Sequence, residues 1–426
     1  MTYRAVVFDL DGTLTDSAPG ITACVTHALQ RMDRSPLPDE ELRRFLGPPL
    51  VGSFVQYAGM TQEEAIEATR LYRERYNTIG WQENRVYPSV RGLLHGLRSQ
   101  GVRLAVATGK LQKVSIDILR HFNLDHYFDR IIGPGPQEYN ADKRDLIIRA
   151  LDDTQGAVMV GDRGSDIIAA HQLGMDSIAV LYGYGPRKEL EAASPTHLVA
   201  SVADLYRLLG VAQPEAKPFF ISFEGNDGSG KSTQARMLYD RLVASGYSVL
   251  LTREPGGCAV SEKIRQILLD RDNSGMCSMT EALLYAAARA QHVREVVMPA
   301  LRQGKIVLSD RYVDSSIAYQ GAGRELGMDL VRAINQPAMD NLWPDMTVYL
   351  DIDQQLAMGR RTGVSQSDRI EMQDAAFHKR VEAAFRLLVK EEKGRFCAID
   401  ASRDVGQVFK DVLSAVMARL EQAGVA

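Results

Sequence analysis

Short apolar runs ending in Asp, Thr, Gly or Glu alternate with longer amphipathic segments along most of this 426-residue chain. The first half contains "RAVVFDL", "VRLAVATG", "GAVMVGD" and "DSIAVLYG", and the second "FFISFEG", "YSVLLTREPG", "KIVLSDRY" and "MTVYLDID". Near-continuous β-branched runs of this kind read as strands buried on both faces, and the helical patterns between them as crossovers. The predicted class is α/β, with two parallel-sheet domains. Between the two series lies "LLGVAQPEAKPFF", residues 208–220, where prolines, a glycine and small polar residues mark a linker. The domains are therefore drawn as 1–212 and 213–426. Residues from about 17 to 85 break the alternation. "ITACVTHALQRM" and "TQEEAIEATRLYRERY" have helical spacing with no convincing strand, which predicts a helical insert after the first strand.

Composition narrows the class. Hydrophobic content of 45% and charged content of 24% are ordinary globular values. A net charge of −4 argues against a nucleic-acid polymer as partner. The four cysteines, Cys24, Cys258, Cys277 and Cys397, form no C-x-x-C pair and read as reduced thiols. The opening "MTYRAVVFDLDGT" does not read as a signal peptide, and no apolar run is long enough to span a membrane. The expectation is a soluble cytoplasmic protein with no membrane partner.

In the first half, "VVFDLDGTLTDS" sets Asp9 and Asp11 at the carboxyl end of a strand, where open α/β sheets bind ligands. Two carboxylates on such a turn divide labour: one attacks phosphorus, the other carries the leaving group's proton. An Asp-Gly turn is the plain alternative. Thr108 ends "LAVATGK", with a hydroxyl suited to a phosphoryl oxygen or to a helix cap. Lys143 in "NADKRD" is a loop cation or a solvated surface charge, and Asp162 and Asp166 of "VMVGDRGSD" are acids suited to Mg²⁺. Their common place at strand ends favours the chemical reading. Over essentially all of residues 1–210 these motifs resemble the haloacid dehalogenase-like phosphatases. The resemblance implies Asp9 as nucleophile forming an aspartyl phosphate, Asp11 as acid/base, and Thr108 and Lys143 holding the phosphoryl group. Mg²⁺ would sit on Asp9, the Asp11 carbonyl and Asp162, with Asp166 a further acid of the site. The insert would be the family's cap. "FLGPPL" (45–50) and "DSIAVLYGYG" resemble the phosphoglycolate phosphatase branch, which implies a small phosphate ester as substrate. A nucleotidase and a weakly active regulatory module are the alternatives.

In the second half, "GNDGSGKS", Gly225 to Ser232, fits G-x-x-x-x-G-K-[ST] between a predicted strand and helix. Backbone N–H groups of Gly225, Asn226, Asp227, Gly228, Ser229 and Gly230 would cradle the phosphates of a nucleoside triphosphate, with Lys231 reaching them, Ser232 on Mg²⁺ and Thr233 following. "LLTREPGG" ends a strand with Arg253, Glu254 and Pro255, and an arginine fork suits a monophosphate. Tyr285 and Arg289, four apart on a helix, share a face and suit a nucleobase; a core tyrosine with a surface arginine is the alternative. "IVLSDRYVDSSIAYQGAG" places Asp310 near Mg²⁺ and Arg311 near phosphate, and "GRRTGVSQSDRIE" gathers Arg360, Arg361 and Arg369 in a lid or a solvated charge run.

"REPGG", "DRY…AYQG" and "DRIE" make residues of about 217–424 resemble the thymidylate kinases. That resemblance implies phosphoryl transfer from ATP to dTMP and a homodimer through this half. Asp227 would lie near the sugar 3′-hydroxyl, and Arg253 and Arg311 would hold the dTMP phosphate beside Glu254 and Pro255. Tyr285 would stack on thymine and Arg289 reach a base oxygen. Ser316, Tyr319 and Gln320 would line base and sugar, with Tyr319 crowding a ribose 2′-hydroxyl. Gly228 stands where one branch of the family has a catalytic arginine, which leaves the lid to supply that charge, Arg361 and Arg369 foremost. Cys258 replaces the hydroxyl residue usual after "REPGG".

Overall fold

The computed structural model describes residues 3–138, 141–212, 217–360, 369–370 and 372–425. Two compact units appear: Met1–Pro214 with Ala244–Gly246, and Glu215–Val243 with Tyr247–Ala426.

The first unit is built on six parallel strands in the spatial order Arg130–Ile132, Arg103–Ala107, Ala5–Phe8, Ala157–Gly161, Asp176–Val180 and His197–Val199. Alternate residues of each run go to opposite faces. Val6, Phe8, Leu104, Val106, Val158 and Val160 pack on one side, while Ala5, Val7, Ala105, Ala107 and Met159 pack on the other with Leu146 and Ile147. Helices therefore cover both faces, and the strand interiors are apolar apart from Ser177. Chain order reverses across the first strand. Ala5–Phe8 and Ala157–Gly161 are hydrogen-bonded neighbours whose helices leave in opposite directions, and the crevice at such a switch is where ligands bind.

The insert is helical: Ala18–Arg31, Asp39–Leu42, Leu50–Ala58 and Gln62–Thr78 enclose a core including Cys24, Val25, Phe45, Phe54 and Leu71. The last helix starts on a capping box between Thr61 and Glu64. One strand pairing escaped the sequence reading. Thr15–Asp16 pairs antiparallel with Arg85–Val86 beside the insert, and two residues are too few to show an alternation.

The second unit has five parallel strands in the order Val249–Arg253, Ile306–Asp310, Phe219–Glu224, Met346–Asp351 and Phe396–Asp400. Phe219, Ile221, Phe223, Leu308 and Leu350 face a cluster with Val412 and Val416, whereas Phe220, Val307 and Tyr349 face one with Val381 and Phe385. No described helix is long and apolar enough to cross a membrane.

Candidate active sites

In the first unit, Asp9 leaves the central strand and Asp162 its neighbour, so strand adjacency brings the two acids together. Asp9, Asp162 and Asp166 are buried, and each offers an oxygen within 4.8 Å of the others. Lys143 is not a surface charge. Its Nζ lies 2.6 Å from Asp9 Oδ1 and 2.7 Å from Asp166 Oδ1. Burial, reinforced by the charges of Asp9 and Asp166, pushes the Asp162 carboxyl up to about 7. Burial likewise pushes Asp166 up to about 6, against the pull of Lys143 and with the repulsion of Asp9. Three crowded carboxylates with oxygen donors alone fit a hard divalent cation. Gly12 permits this crowding: its φ is +83°, and a Cβ there would stand 2.2 Å from Asp162 Oδ2.

The Asp11 carboxylate lies outside that acid cluster. Its Oδ2 pairs with Lys110 Nζ at 2.6 Å, and Lys110 also donates to the Tyr76 hydroxyl at 2.8 Å from the insert helix Gln62–Thr78. The Asp11 carboxylate is thus not among the acids grouped for a metal, which are Asp9, Asp162 and Asp166. Thr108 is buried at its strand end, where its hydroxyl oxygen accepts from the Lys110 N–H at 3.3 Å. It caps no helix, since Gln112–His121 begins after Leu111.

In the second unit the phosphate loop opens onto a cavity of about 940 Å³. Asp227 to Thr233 form one wall, Arg253, Glu254 and Pro255 another, and Tyr285, Arg289, Asp310, Arg311, Ser316, Tyr319 and Gln320 the rest. Gly225 and Asn226 sit behind the wall, their carbonyls accepting from Lys231 Nζ at 2.9 and 2.8 Å. Burial and then the Arg311 charge push Lys231 down to about 8. Ser232 donates to the Asp310 carboxylate. Arg311 has a φ of +69°, a left-handed conformation uncommon for a residue other than glycine and concentrated at functional sites. Its guanidinium pairs with Asp227 and donates to Ser315 Oγ at 2.9 Å. Burial opposes ionisation of Asp227, but Arg311 and then Lys231 prevail and hold it down to about 2. The Tyr319 hydroxyl donates to Asp227 Oδ2 at 3.2 Å, and Tyr319 and Gln320 lie on a wide π-helical turn, Ile317–Gly323, of the kind that recurs at functional sites.

Arg289 is only 2% exposed, so the surface-arginine alternative falls. Its Nε donates to Glu254 Oε2 at 2.7 Å. Arg253 is paired with Glu262 at 2.9 Å. Ser229 Oγ and Ser316 Oγ, both on the wall, are buried polar atoms with no hydrogen-bond partner, which fits a polar ligand. Among the lid arginines, Arg360 is on the wall with its guanidinium on the carbonyls of Ala401 and Ser402, each at 2.6 Å. Arg369 is buried off the wall, 2.7 Å from Glu281, with Nε donating to the Leu268 carbonyl. Arg361 lies outside the described residues. Cys258 donates to the Ser261 hydroxyl at 3.1 Å, which leaves an oxygen close to where the missing one was expected.

Several residues of these sites escaped the sequence reading. Lys110 had a signal, standing two residues after Thr108 in "ATGK". Glu281 had none: an acid in the first turn of helix Ser278–His292 reads as solvated, yet it is buried among Gln320, Arg324 and Arg369. The Ala401–Val408 side of the cavity, including Arg403 and Asp404, also carried no motif.

A phosphate loop between strand and helix, opening on a cavity, defines a P-loop fold, and the other sheet is an open α/β fold with a candidate cation site at its switch point. Residues 223–412 match the thymidylate kinase family model, and residues 6–180 the haloacid dehalogenase-like hydrolase model. Thymidylate kinase from Pelobacter propionicus is 46% identical over 205 residues, 47% of this chain and 94% of that protein. The thymidylate kinase of Caldanaerobacter subterraneus subsp. tengcongensis is 48% identical over 48% of this chain and 98% of its own. The crystal structure of a "predicted phosphatase" from Clostridium acetobutylicum is 39% identical, covering 49% of this chain and 99% of that one at a TM-score of 0.45. The chain belongs to the thymidylate kinase family by its second half, and its first half is a haloacid dehalogenase-like hydrolase domain.

Proposed function

We propose that residues 213–426 transfer the γ-phosphoryl group of ATP to dTMP, and that residues 1–212, capped by about 17–85, hydrolyse a phosphate monoester. The observation carrying the first reading is the convergence of Lys231, Asp310, Arg311, Asp227 and Arg289 on one cavity. The phosphate-loop N–H groups and Lys231 hold the β- and γ-phosphates. Ser232 and Asp310 offer the oxygens that would hold Mg²⁺, whose charge offsets that of the polyphosphate. Arg311 and Arg253 bind the acceptor phosphate, Arg253 exchanging Glu262 for it. Tyr285 stacks on thymine, Arg289 donates to a base oxygen, and Ser316 and Gln320 line the nucleoside. Tyr319, held toward Asp227, crowds a ribose 2′-hydroxyl. Of the two described lid arginines, Arg360 and Arg369, only Arg360 has cavity-wall contact to support it.

In the first half, an Asp9 oxygen attacks phosphorus while the ester oxygen leaves with a proton from Asp11. Water then attacks the aspartyl phosphate, Asp11 takes its proton, phosphate departs and the Asp9 carboxylate is restored. Lys143 and Thr108 hold the phosphoryl oxygens. Asp9, the Asp11 carbonyl, Asp162 and Asp166 would hold Mg²⁺, which supplies charge neutralisation at phosphorus. The reach of Tyr76 from the insert to Lys110, itself on Asp11, supports a small leaving group.

With the full chain, ATP and Mg²⁺, dTMP is the expected best acceptor. dUMP, lacking one methyl group, is expected to fall in kcat/KM by roughly 10–200-fold, and the ribose analogue to be refused. Absence of dTDP formation overturns the kinase reading. Hydrolysis is screened with the Lys231→Ala chain; small phosphate esters are expected to surpass dTMP, and the reverse order makes the first half a nucleotidase.

A further inference from the structure

The helix Ser278–His292 presents Arg289 and His292, three residues apart, on one face. Arg289 reaches the cavity; His292 is fully buried behind it. Its Nδ1 lies 3.0 Å from Glu254 Oε1, and its Nε2 lies 2.7 Å from Thr252 Oγ1. Nδ1 is placed to donate to the Glu254 carboxylate, and Nε2 faces the Thr252 hydroxyl. The opposite oxygen of Glu254 accepts from Arg289 Nε at 2.7 Å. The ring packs closely on Gly257, where a Cβ would stand 2.7 Å from its Cδ2 and Nε2.

We infer that His292 is a positioning residue for acceptor recognition, fixing the plane of Glu254 and, through it, the cavity-facing guanidinium of Arg289. This rests on the reading of the cavity as a dTMP site. A carboxylate bonded through one oxygen swings about its side-chain torsions; bonds to both oxygens from opposite sides hold it in one plane. Arg289 is held further by Asn335 Oδ1 and by the Tyr312 carbonyl at 3.2 Å. These three acceptors use three of its five N–H groups and leave two for the cavity. A guanidinium so placed donates to a carbonyl oxygen of thymine but confronts the amino group that replaces it in cytosine. His292 therefore supports discrimination between the two bases without touching either.

The full chain is assayed with ATP, dTMP and dCMP. His292→Ala is expected to raise the KM for dTMP by about 10- to 100-fold, the range for losing a bond to a charged group. The preference for dTMP over dCMP should fall with it, while KM for ATP and kcat at saturating dTMP stay within about twofold. His292→Asn keeps an amide donor at the Nδ1 position and is expected to restore most of both losses. His292→Gln, whose amide falls at the Nε2 position, is not, and it replaces the alanine variant if that protein does not fold. Unchanged dTMP kinetics, or equal behaviour of Asn and Gln with ATP and dTMP affinities falling together, overturns the inference. A wild-type chain that makes no dTDP counts against the cavity reading instead.

Discussion

Glu224 shows how much a single residue adds to the kinase site without touching the cavity. It ends the strand Phe219–Glu224, and its carboxylate accepts from the Tyr312 N–H at 2.7 Å and the Ser315 hydroxyl at 2.5 Å, the residues flanking the turn after Arg311. Burial, with the Asp314 charge adding, pushes it from 4.5 up to about 8. The folded state then binds a proton that the unfolded state releases, so stability from this group is present below pH 4.5 and is lost as pH rises through about 8. Glu224→Gln removes that dependence and keeps an acceptor for Tyr312. Thermal unfolding at several values between pH 5 and 8 should give a flatter profile in the variant; parallel profiles would count against a raised Glu224.

Among elements, the turn Gly183–Gly185 controls the acid cluster. The Tyr184 N–H donates to Asp162 Oδ2 at 2.8 Å, and its hydroxyl donates to Asp16 Oδ1 at 2.8 Å, next to the first helix of the insert. A Cβ at Gly185 would stand 1.8 Å from the Asp162 carbonyl oxygen, and one at Gly183 2.3 Å from the Asp162 Cβ. Relieving either contact requires the turn and Asp162 to move apart. Gly185→Ala is therefore expected to lower ester hydrolysis by about 100-fold, as misplacement near 1 Å does. The stabilisation by Mg²⁺ seen in thermal unfolding should shrink with it, and dTMP phosphorylation should be untouched. Normal hydrolysis by this variant would remove Asp162 from the site.

At the scale of the whole molecule, each unit has its own sheet, its own cores and its own candidate site. Lys231→Ala should abolish dTDP formation, since loss of one charge-stabilising group costs about 100- to 1,000-fold, and leave ester hydrolysis intact. Asp9→Asn should do the opposite, because it keeps the shape of the nucleophile and removes its charge. Assays of both activities on both variants check this, and loss of both in either variant would contradict separate sites. A first half that hydrolysed dTMP well would deplete the acceptor of the second, which is a further reason to expect weak dTMP hydrolysis.

The sequence by itself determined the two parallel sheets and put the candidate site residues at their strand ends. Buried parallel strands are continuous apolar runs, and the loops at their carboxyl ends hold the chemistry, so Asp9, Thr108, Asp162, Lys231 and Asp310 could be placed by local pattern alone. Tertiary structure decided what depends on pairing between distant segments. It turned the Asp11 carboxylate to Lys110, took Arg369 from the lid to a buried acid at Glu281, and set His292 behind Glu254. In sequence a charged residue bound for a buried partner looks the same as one bound for water. Burial cost makes it choose, since an unpaired interior charge is far more expensive than a paired one, and the partner is known only once strand order has brought the two segments together.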